Sequence, residues 1–447
     1  MRRDSATIFA LSSAPGRAGI AVVRVSGPRA GAAIEALTGR PLPEPRHAAL
    51  RSVFAPGQPS EQDRIDEALV LWFAAPHSAT GEDVGEFHLH GGSAIVEAVL
   101  AALAAIPGLR PAERGEFTRR AVENGKLDLT QAEGLADLID AETPAQRRLA
   151  LAHYDGALLR HCEDWRARLL RLCAWAEAEI DFADEELDEN LGATVREGAR
   201  ELLADIRAAL ADGRRGEIVR EGFHLAVIGP PNAGKSSLLN MLARREVAIV
   251  APTPGTTRDV VEARLDLGGY LVIAADTAGL REATDAIETE GVRRALARAE
   301  SADLAVLVLD GSAQAPHAGL PESFARDGDA VLTVWNKCDL DWPSAREGLR
   351  ISVRSGEGID TLLAALTTRI GERLGRTARE SPLIARARHR HALEQALEAL
   401  ARATAATAPE LAAEDLRLAL RAIGRLTGRV DIEELLDVVF RDFCIGK

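Results

Sequence analysis

The sequence lacks the features that mark small secreted proteins and membrane proteins. Its four cysteines form no Cys-x-x-Cys pair, so the pattern indicates neither a zinc knuckle nor a disulfide framework. It has no run of about 18 apolar residues, so no membrane span is expected. The apolar stretch near the first residue is too short for a secretory signal peptide. We therefore expect a cytoplasmic protein in a reducing compartment, with no membrane partner.

The chain also lacks an excess of positive charge, since its formal net charge is −14 at pH 7. This disfavours a broad phosphate-binding surface, because nucleic acid would be repelled everywhere except at local basic patches. Two stretches contain clustered arginines, and a solvated side chain on a helical face is the expected role of each. The arginines are Arg110, Arg114, Arg119 and Arg120 in RPAERGEFTRR, and Arg386, Arg388 and Arg390 in ARARHRH.

Length and patterning predict several domains. With 447 residues, 47% of them hydrophobic, the chain is expected to form two or three globular domains. Residues 1–120 combine strands such as IAVVRVSG and EALVLWF with the helix GGSAIVEAVLAALAAI, which predicts a small α+β domain. Residues 218–378 alternate helices with the strands HLAVIG, YLVIAAD, DLAVLVLD, AVLTVWN and LRISV, which is typical of a mainly parallel sheet. Helical patterns at 121–217 and 379–447 indicate a helical domain into which this α/β domain is inserted.

Two apolar seams have helical spacing. Leu135, Leu138 and Ile139 recur at steps of three and one. A longer seam predicts one long helix whose cysteines serve as small apolar core residues. Its members are Leu158, Cys162, Trp165, Leu169, Leu172 and Ala176. The acidic run DFADEELDEN that follows is expected to be a solvated loop.

The strongest local signal is GPPNAGKSS, which matches the pattern G-x-x-x-x-G-K-[ST]. It follows the apolar strand LAVI and precedes the helical SSLLNMLA, as this motif requires. Gly229 and Gly234 would let backbone N–H groups face the phosphates at the positive end of the helix. Lys235 would reach the outer phosphates, and the Ser236 hydroxyl would ligate Mg²⁺.

Three further motifs follow in order. PGTTRD offers Thr256 and Thr257 to complete the Mg²⁺ shell and to sense the γ-phosphate. DTAG ends a strand, so that Asp276 can hold Mg²⁺ through water and the Gly279 N–H can meet the γ-phosphate. NKCD ends another strand, where Asp339 can accept hydrogen bonds from the guanine N1–H and amine while Asn336 donates toward O6. Adenine lacks these donors, and an unpaired buried carboxylate would cost about 1–3 kcal/mol. The four motifs together predict a GTP-binding domain.

The residue that positions the attacking water is not evident from these motifs. Many such domains have a glutamine directly after D-x-x-G, but this chain has Leu280, which offers no hydrogen-bonding group. Four acidic residues downstream are alternatives that the residues alone do not rank. They are Glu282, Asp285, Glu288 and Glu290.

Over nearly its full length the chain resembles the MnmE/TrmE family, GTPases that modify the wobble uridine of tRNA. The resemblance lies in the segments APGRAGIAVVRVSG, TGED, HLHGG, RGEFTRRAVENGKLDLTQAEGLADLID, GPPNAGKSSLLN, PGTTRD, DTAGLRE and the terminal FCIGK. It implies a multidomain α+β and α/β fold. The parts would be an N-terminal folate-binding and dimerisation domain, a helical domain, and an inserted Ras-like P-loop G domain.

The resemblance also implies site residues. Arg24, Glu82, Lys126 and Lys447 match contacts to 5-formyltetrahydrofolate or a related folate. Glu288 matches a water-orienting glutamate that acts through a second water, and Ser236 with Thr257 matches the Mg²⁺ ligands. A K⁺ ion at the interface of two G domains would be held by Asn232, Ala251, Thr253 and Thr256. SVRS replaces the usual Ser-Ala in the loop that contacts the base. The residues assigned to GTP are Asn232, Ala233, Gly234, Lys235, Ser236, Ser237, Ala251, Pro252, Thr253, Pro254, Gly255, Thr256, Thr257, Asp276, Thr277, Ala278, Gly279, Asn336, Lys337, Asp339, Ser352, Val353 and Arg354.

The implied function is a K⁺-dependent GTP hydrolase that works as a homodimer on tRNA. With an FAD-dependent MnmG partner, in a heterotetramer or larger complex, it would install a 5-carboxymethylaminomethyl or aminomethyl group on the wobble uridine (U34). The flavin would belong to that partner, because this chain has no dinucleotide-binding fingerprint. The alternative is a GTP-gated ribosome-assembly or signalling switch in which folate plays no role.

The chain ends on Cys444, Ile445, Gly446 and Lys447, and three interpretations compete. The tail is frayed, it is a lipidation signal, or it is delivered to a site elsewhere in the molecule. A glycine at the third position and a final lysine disfavour lipidation. The family resemblance favours delivery to the folate site, where Lys447 would meet folate oxygens and Cys444 is a possible nucleophile.

Overall fold

The computed structural model describes most of the chain, and its residues form two compact units. The described residues are 6–57, 63–181, 191–245, 247–249, 262–276, 302–314, 330–340, 348–375 and 382–430, with 436, 439–440 and 443–446 near the C-terminus. The first unit contains Met1–Ala136, Tyr154–Ala199 and Glu398–Lys447. The second unit contains Asp137–His153 and Arg200–Leu397.

The N-terminal part of the first unit is a mixed six-stranded sheet with helices. The predicted strand IAVVRVSG forms, and its alternating burial places Val23 and Val25 in the core. The strands in spatial order are β3, β4, β5, β2, β1 and β6, with β1 and β6 parallel and the other pairs antiparallel. The elements are β1 (Thr7–Leu11), β2 (Ala18–Ser26), α1 (Ala30–Thr38), β3 (Ala49–Phe54), β4 (Arg64–Phe73), β5 (Val84–Gly91), α2 (Ser93–Ala104), β6 (Leu109–Pro111) and α3 (Glu116–Glu123).

The helical part confirms the helices predicted from both apolar patterns. All six residues of the longer seam are buried along one helix, Ala157–Asp181. The three residues of the shorter pattern also lie in a helix, but Leu135 and Leu138 are only half-buried and Ile139 is 42% exposed. That helix buries its first two turns instead, where Leu129 and Ala132 pack near the C-terminal Phe440 and Phe443. The helices are α4 (Leu129–Asp140), α5 (Pro144–Tyr154), α6 (Ala157–Asp181), α7 (Leu191–Ala211) and α8 (Gly213–Glu221), followed late in the chain by α11 (Ala387–Ala405) and α12 (Pro409–Thr427).

The second unit is built around the predicted, mainly parallel sheet. Its spatial order is β12, β11, β10, β7, β9 and β8, and only the β8–β9 pair is antiparallel. The run LAVLVLD is buried over six consecutive residues, as expected of a central parallel strand. The elements are β7 (Phe223–Ile228), α9 (Lys235–Leu242), β8 (Glu262–Leu267), β9 (Tyr270–Asp276), β10 (Leu304–Asp310), β11 (Val331–Asn336), β12 (Leu349–Arg350) and α10 (Ile359–Leu374).

The second unit extends beyond the predicted α/β segment, because residues 137–153 pack within it. The Ala145 N–H donates to the Gly269 carbonyl at 3.0 Å. One carboxylate oxygen of Asp137 accepts from Arg220 at 2.9 Å and from Arg386 at 2.6 Å. Asp137 therefore connects the segment that enters the sheet of the second unit with the segment that leaves it. The boundaries 1–120, 121–217, 218–378 and 379–447 stay predictions. Across the part of the chain that is described, no helix is long and apolar enough to cross a membrane.

Candidate functional sites

The loop between β7 and α9 has the backbone shape of a phosphate cradle. Gly229, Asn232 and Gly234 all have positive φ, at +147°, +62° and +98°. A Cβ at Gly229 would lie 2.1 Å from the Val308 carbonyl oxygen, and one at Gly234 would lie 2.2 Å from the Asn336 amide nitrogen. Only glycine fits these two positions. The loop therefore packs directly against β10 and the end of β11, and it leads into the N-terminus of α9, where anions bind favourably.

Lys235 and Ser236 open α9 and lie where the motif requires. The Lys235 side chain is buried, and its ammonium donates to the carbonyls of Gly229 at 2.9 Å and Pro230 at 2.8 Å. These bonds hold the positive charge over the loop. The side chains of Asn232, Ser236 and Ser237 are exposed around it, whereas Ala233 is buried. A hydroxyl beside a fixed ammonium suits a phosphate with its Mg²⁺.

Asp339, the carboxylate predicted to contact the base, is exposed rather than buried and accepts a hydrogen bond from its neighbour. The buried Ser352 hydroxyl donates to an Asp339 oxygen at 2.6 Å. This hydrogen bond is the main reason that the pKa of Asp339 is lowered below its ordinary value. An ionised carboxylate only accepts hydrogen bonds, so it suits the adjacent N–H donors of guanine and not the acceptor nitrogen of adenine. Val353 is half-buried and Arg354 is exposed in the same loop.

Asn336 joins the phosphate loop to the base-contacting loop. Its amide nitrogen donates to the Ala233 carbonyl at 2.8 Å, and its amide oxygen accepts from the Val353 N–H at 3.1 Å. The NKCD motif predicts that this side chain donates toward guanine O6, whereas its bridging role depends on the fold. Next to it, the Lys337 ammonium contacts the Asp310 carboxylate at 2.5 Å. The two loops are therefore coupled through one buried amide.

Several predicted nucleotide residues lie outside the described residues. These are Ala251, Pro252, Thr253, Pro254, Gly255, Thr256, Thr257, Thr277, Ala278, Gly279 and Glu288. The backbone of Asp276 ends β9 and pairs in register with Val227 of β7, directly before the phosphate loop. Of the predicted ion ligands that are described, Asn232 lies in the loop after β7 and Ser236 lies in the first turn of α9.

Three residues predicted to contact folate, Arg24, Glu82 and Lys126, lie in the first unit, and each has contacts that fix its side chain. Arg24 donates to Glu86 at 2.9 Å and lies over the Phe117 ring at 5.8 Å. The Lys126 ammonium donates to a backbone carbonyl, that of Pro76, at 2.9 Å. The Lys126 side chain also lies against Gly81, the neighbour of Glu82, since a Cβ built at Gly81 would be 3.2 Å from it.

The C-terminal tail docks on the same unit. The Ser12 hydroxyl donates to the Gly446 carbonyl at 2.9 Å, and the Gly115 N–H donates to the Cys444 carbonyl at 3.2 Å. Ile445 forms a bridge with Arg114. The interpretation of a frayed tail is therefore wrong for these residues, and delivery to another part of the chain is observed. Lys447 lies outside the described residues, and the exposed Cys444 stays a possible nucleophile.

The expectation of solvated arginines is wrong at several positions. Arg120 is buried and pairs with Glu82 and Glu116, while Arg386 and Arg390 pair with carboxylates of neighbouring helices. Glu116 was not among the predicted site residues. Its spacing of four from Arg120 in the same helix was the available signal.

Comparisons with known proteins agree with this architecture. Residues 129–444 match the family model of the MnmE helical domain, and residues 7–126 match that of the GTP-binding protein TrmE N-terminus. A tRNA modification GTPase MnmE from Parvibaculum lavamentivorans is 56% identical over 446 residues, which cover 99% of this chain and 100% of the relative. The corresponding protein from Rhodospirillum rubrum is 54% identical, with 99% of each chain covered. A human mitochondrial 5-taurinomethyluridine-tRNA synthase subunit is 48% identical, with 99% and 94% covered.

Proposed function

The chain belongs to the MnmE family of tRNA modification GTPases, and we propose that it hydrolyses GTP to drive modification of the wobble uridine of tRNA. The observation that carries this proposal is the joint geometry of the phosphate loop and the base-recognition loop. Lys235 is fixed over the phosphate loop, Asp339 is kept ionised by Ser352, and Asn336 connects the two loops. This arrangement would place phosphate binding and guanine selection at one edge of the sheet.

Two ions complete the proposed hydrolytic site. Mg²⁺ would be held by Ser236 and Thr257 and would neutralise phosphate charge. K⁺ would be held by Asn232 together with Ala251, Thr253 and Thr256. The exposed side chain of Asn232 on a left-handed backbone at +62° supports its place in that set. Since Leu280 offers no hydrogen-bonding group, Glu288 is the residue that we propose to orient the water.

The first unit would supply a one-carbon donor site. Arg24, Glu82 and Lys126 would bind 5-formyltetrahydrofolate or a related folate, and Lys447 would join them through the docked tail. The contacts of Gly446 and Cys444 with the N-terminal sheet unit support this assignment over a switch without folate chemistry. The remaining components of the proposal are a homodimer, the FAD-dependent MnmG partner in a larger complex, and a tRNA substrate.

Nucleoside analysis of tRNA tests the proposal. Cells that lack the protein should lose the C5 modification of wobble uridine, and the wild-type gene should restore it. A Lys235→Ala gene should fail to restore the modification, because the variant loses the phosphate-binding ammonium. Arg244→Ala is the control: it removes a cation just after the C-terminal end of α9 and should restore the modification. Unmodified uridine in wild-type cells, or rescue by Lys235→Ala at equal protein level, would reject the proposal.

Turnover measurements test the ions. GTP hydrolysis should be faster in KCl than in NaCl at equal ionic strength, and Asn232→Ala should reduce that difference. Glu288→Ala should bind GTP normally and lose most of its turnover. Equal rates in the two salts would reject the K⁺ assignment, and an active Glu288→Ala protein would point to another acidic residue.

A further inference from the structure

Glu82, the carboxylate in the proposed folate site, is held in place by a buried arginine. One guanidinium nitrogen of Arg120 lies 3.0 Å and 3.3 Å from the two Glu82 oxygens. The buried Ser26 hydroxyl donates to Glu82 at 2.8 Å. The Arg120 side chain is only 9% exposed, and that of Glu82 is 26% exposed. Glu82 thus has a fixed inner side and an accessible outer side.

Arg120 is itself fixed by a network of alternating charge. Its second guanidinium nitrogen donates to the Ala6 carbonyl at 2.9 Å and to Glu116 at 3.0 Å. Glu116 also accepts from Arg110 at 2.6 Å and 2.8 Å, and from the Glu113 N–H at 2.8 Å. Burial alone would raise the pKa of Glu116, but these hydrogen bonds outweigh it and lower the pKa. Glu116 is therefore charged at neutral pH and accepts hydrogen bonds from both guanidiniums.

The start of α3 connects this network to the tail. Gly115 caps α3, and its N–H donates to the Cys444 carbonyl. A Cβ at Gly115 would lie 2.9 Å from both Phe440 and Phe443, so the helix begins in direct contact with the C-terminal residues. The helix that carries Glu116 and Arg120 is consequently oriented by the docked tail.

We infer that Arg120 is a positioning residue for the ligand site, which orients the Glu82 carboxylate toward the N–H donors of a pterin ring. This inference rests on the proposed folate site. A carboxylate accepts hydrogen bonds, and the pterin ring is the part of a folate that presents adjacent N–H donors. The glutamate tail of a folate is anionic and would be repelled by Glu82. Arg120 fixes the carboxylate from its inner side and leaves the outer lone pairs for the ligand.

The test compares Arg120→Gln with Arg119→Gln in the full-length protein. Arg119 is the adjacent residue in α3 and pairs with Glu123, so it is a matched control for loss of one arginine. Titration with 5-formyltetrahydrofolate should show an affinity loss of about 10- to 100-fold for Arg120→Gln, the range expected for a hydrogen-bonded charge pair. Arg119→Gln should stay within about twofold of wild type.

A second ligand separates positioning from general damage. Competition with p-aminobenzoylglutamate, which lacks the pterin ring, should give the same inhibition constant for wild type and Arg120→Gln. Arg120→Lys, which keeps the buried positive charge, should recover part of the lost folate affinity. If Arg120→Gln fails to fold by circular dichroism, Arg120→Lys and Ser26→Ala carry the test, and each should weaken folate binding selectively.

The outcomes distinguish the inference from the function beneath it. If wild-type protein does not bind 5-formyltetrahydrofolate, the folate part of the proposed function is wrong and the inference falls with it. If wild type binds and the Arg120 variants bind equally well, only the positioning role is wrong. An equal loss of affinity for both ligands would show a structural role for Arg120 and would also overturn the inference.

Discussion

Replacing Gly234 by alanine tests the coupling of the two nucleotide loops. Gly234 has φ +98°, and an added Cβ would lie 2.2 Å from the Asn336 amide nitrogen. That nitrogen donates to Ala233, and the same side chain accepts from Val353. The methyl group must therefore either distort the phosphate loop or displace Asn336 and break the bridge to the base-contacting loop.

The magnitude follows from these two effects. A left-handed backbone costs a non-glycine residue about 1–2 kcal/mol. Each of the two Asn336 hydrogen bonds contributes about 0.5–1.5 kcal/mol. The free protein can relax, but GTP binding requires the original loop shape, so the cost appears as lost affinity. A sum of about 2–5 kcal/mol corresponds to a loss between about 30-fold and 4000-fold.

Titration with a fluorescent GDP analogue measures this loss. Gly356→Ala is the matched control, because Gly356 lies in the same unit at φ +85° but has nothing within 4 Å of its Cβ position. It carries the backbone cost without the collision, and its affinity loss should be about 5- to 140-fold smaller. A Gly234→Ala protein that is folded and binds within about threefold of wild type would refute the bridging role of Asn336.

Three further predictions concern single groups. Asp310→Asn should weaken GTP affinity about two- to fivefold without changing turnover at saturation, because it removes the ion pair that orients Lys337, and equal affinity would contradict this. Burial raises the pKa of Cys173 to about 11, so iodoacetamide at pH 8 should label it on the order of 100-fold more slowly than a free cysteine. The exposed Cys444 should react readily, and peptide mass spectrometry measures both labelling rates. Because the pKa of Glu116 is lowered from 4.5, its stabilising effect is present above that pH and is lost on acidification. Below pH 4.5 the melting temperature of wild type should therefore decrease by an amount that Glu116→Gln does not show.

The central sheet of the second unit was predictable because two signals in the sequence agree, the apolar runs of the strands and the nucleotide motifs that follow them. Continuous apolar runs identify β7, β9, β10 and β11, and the nucleotide motifs follow their carboxyl ends. The edge strand Glu262–Leu267 was missed, although its sequence EARLDL alternates polar and apolar residues and is followed by a Gly-Gly turn, both of which are signals of a hairpin. The strand LRISV is shorter than predicted, because only Leu349–Arg350 pairs with β11.

The parts that could not be predicted depend on contacts between distant residues. The long seam of α6 was predictable from its period, but α4 buries Leu129 and Ala132 because C-terminal aromatic residues cover them. Nothing near Arg120 in the sequence shows that it meets Glu82, which lies 38 residues earlier. The contacts of the C-terminal tail were also only partly predictable. The family resemblance of its terminal motif indicates docking, but only the fold shows that Ser12 and Gly115 are the residues it contacts.

The selectivity of turnover for GTP over ATP is the most direct test of guanine recognition by this site. Steady-state turnover of GTP and ATP should be measured on the full-length protein in KCl and Mg²⁺, with Asp339→Asn beside wild type. A site that hydrogen-bonds the guanine N–H donors should give a kcat/KM for GTP at least about 100-fold above that for ATP, and Asp339→Asn should remove most of this preference. ATP turnover within about tenfold of GTP turnover by the wild-type chain would contradict the account.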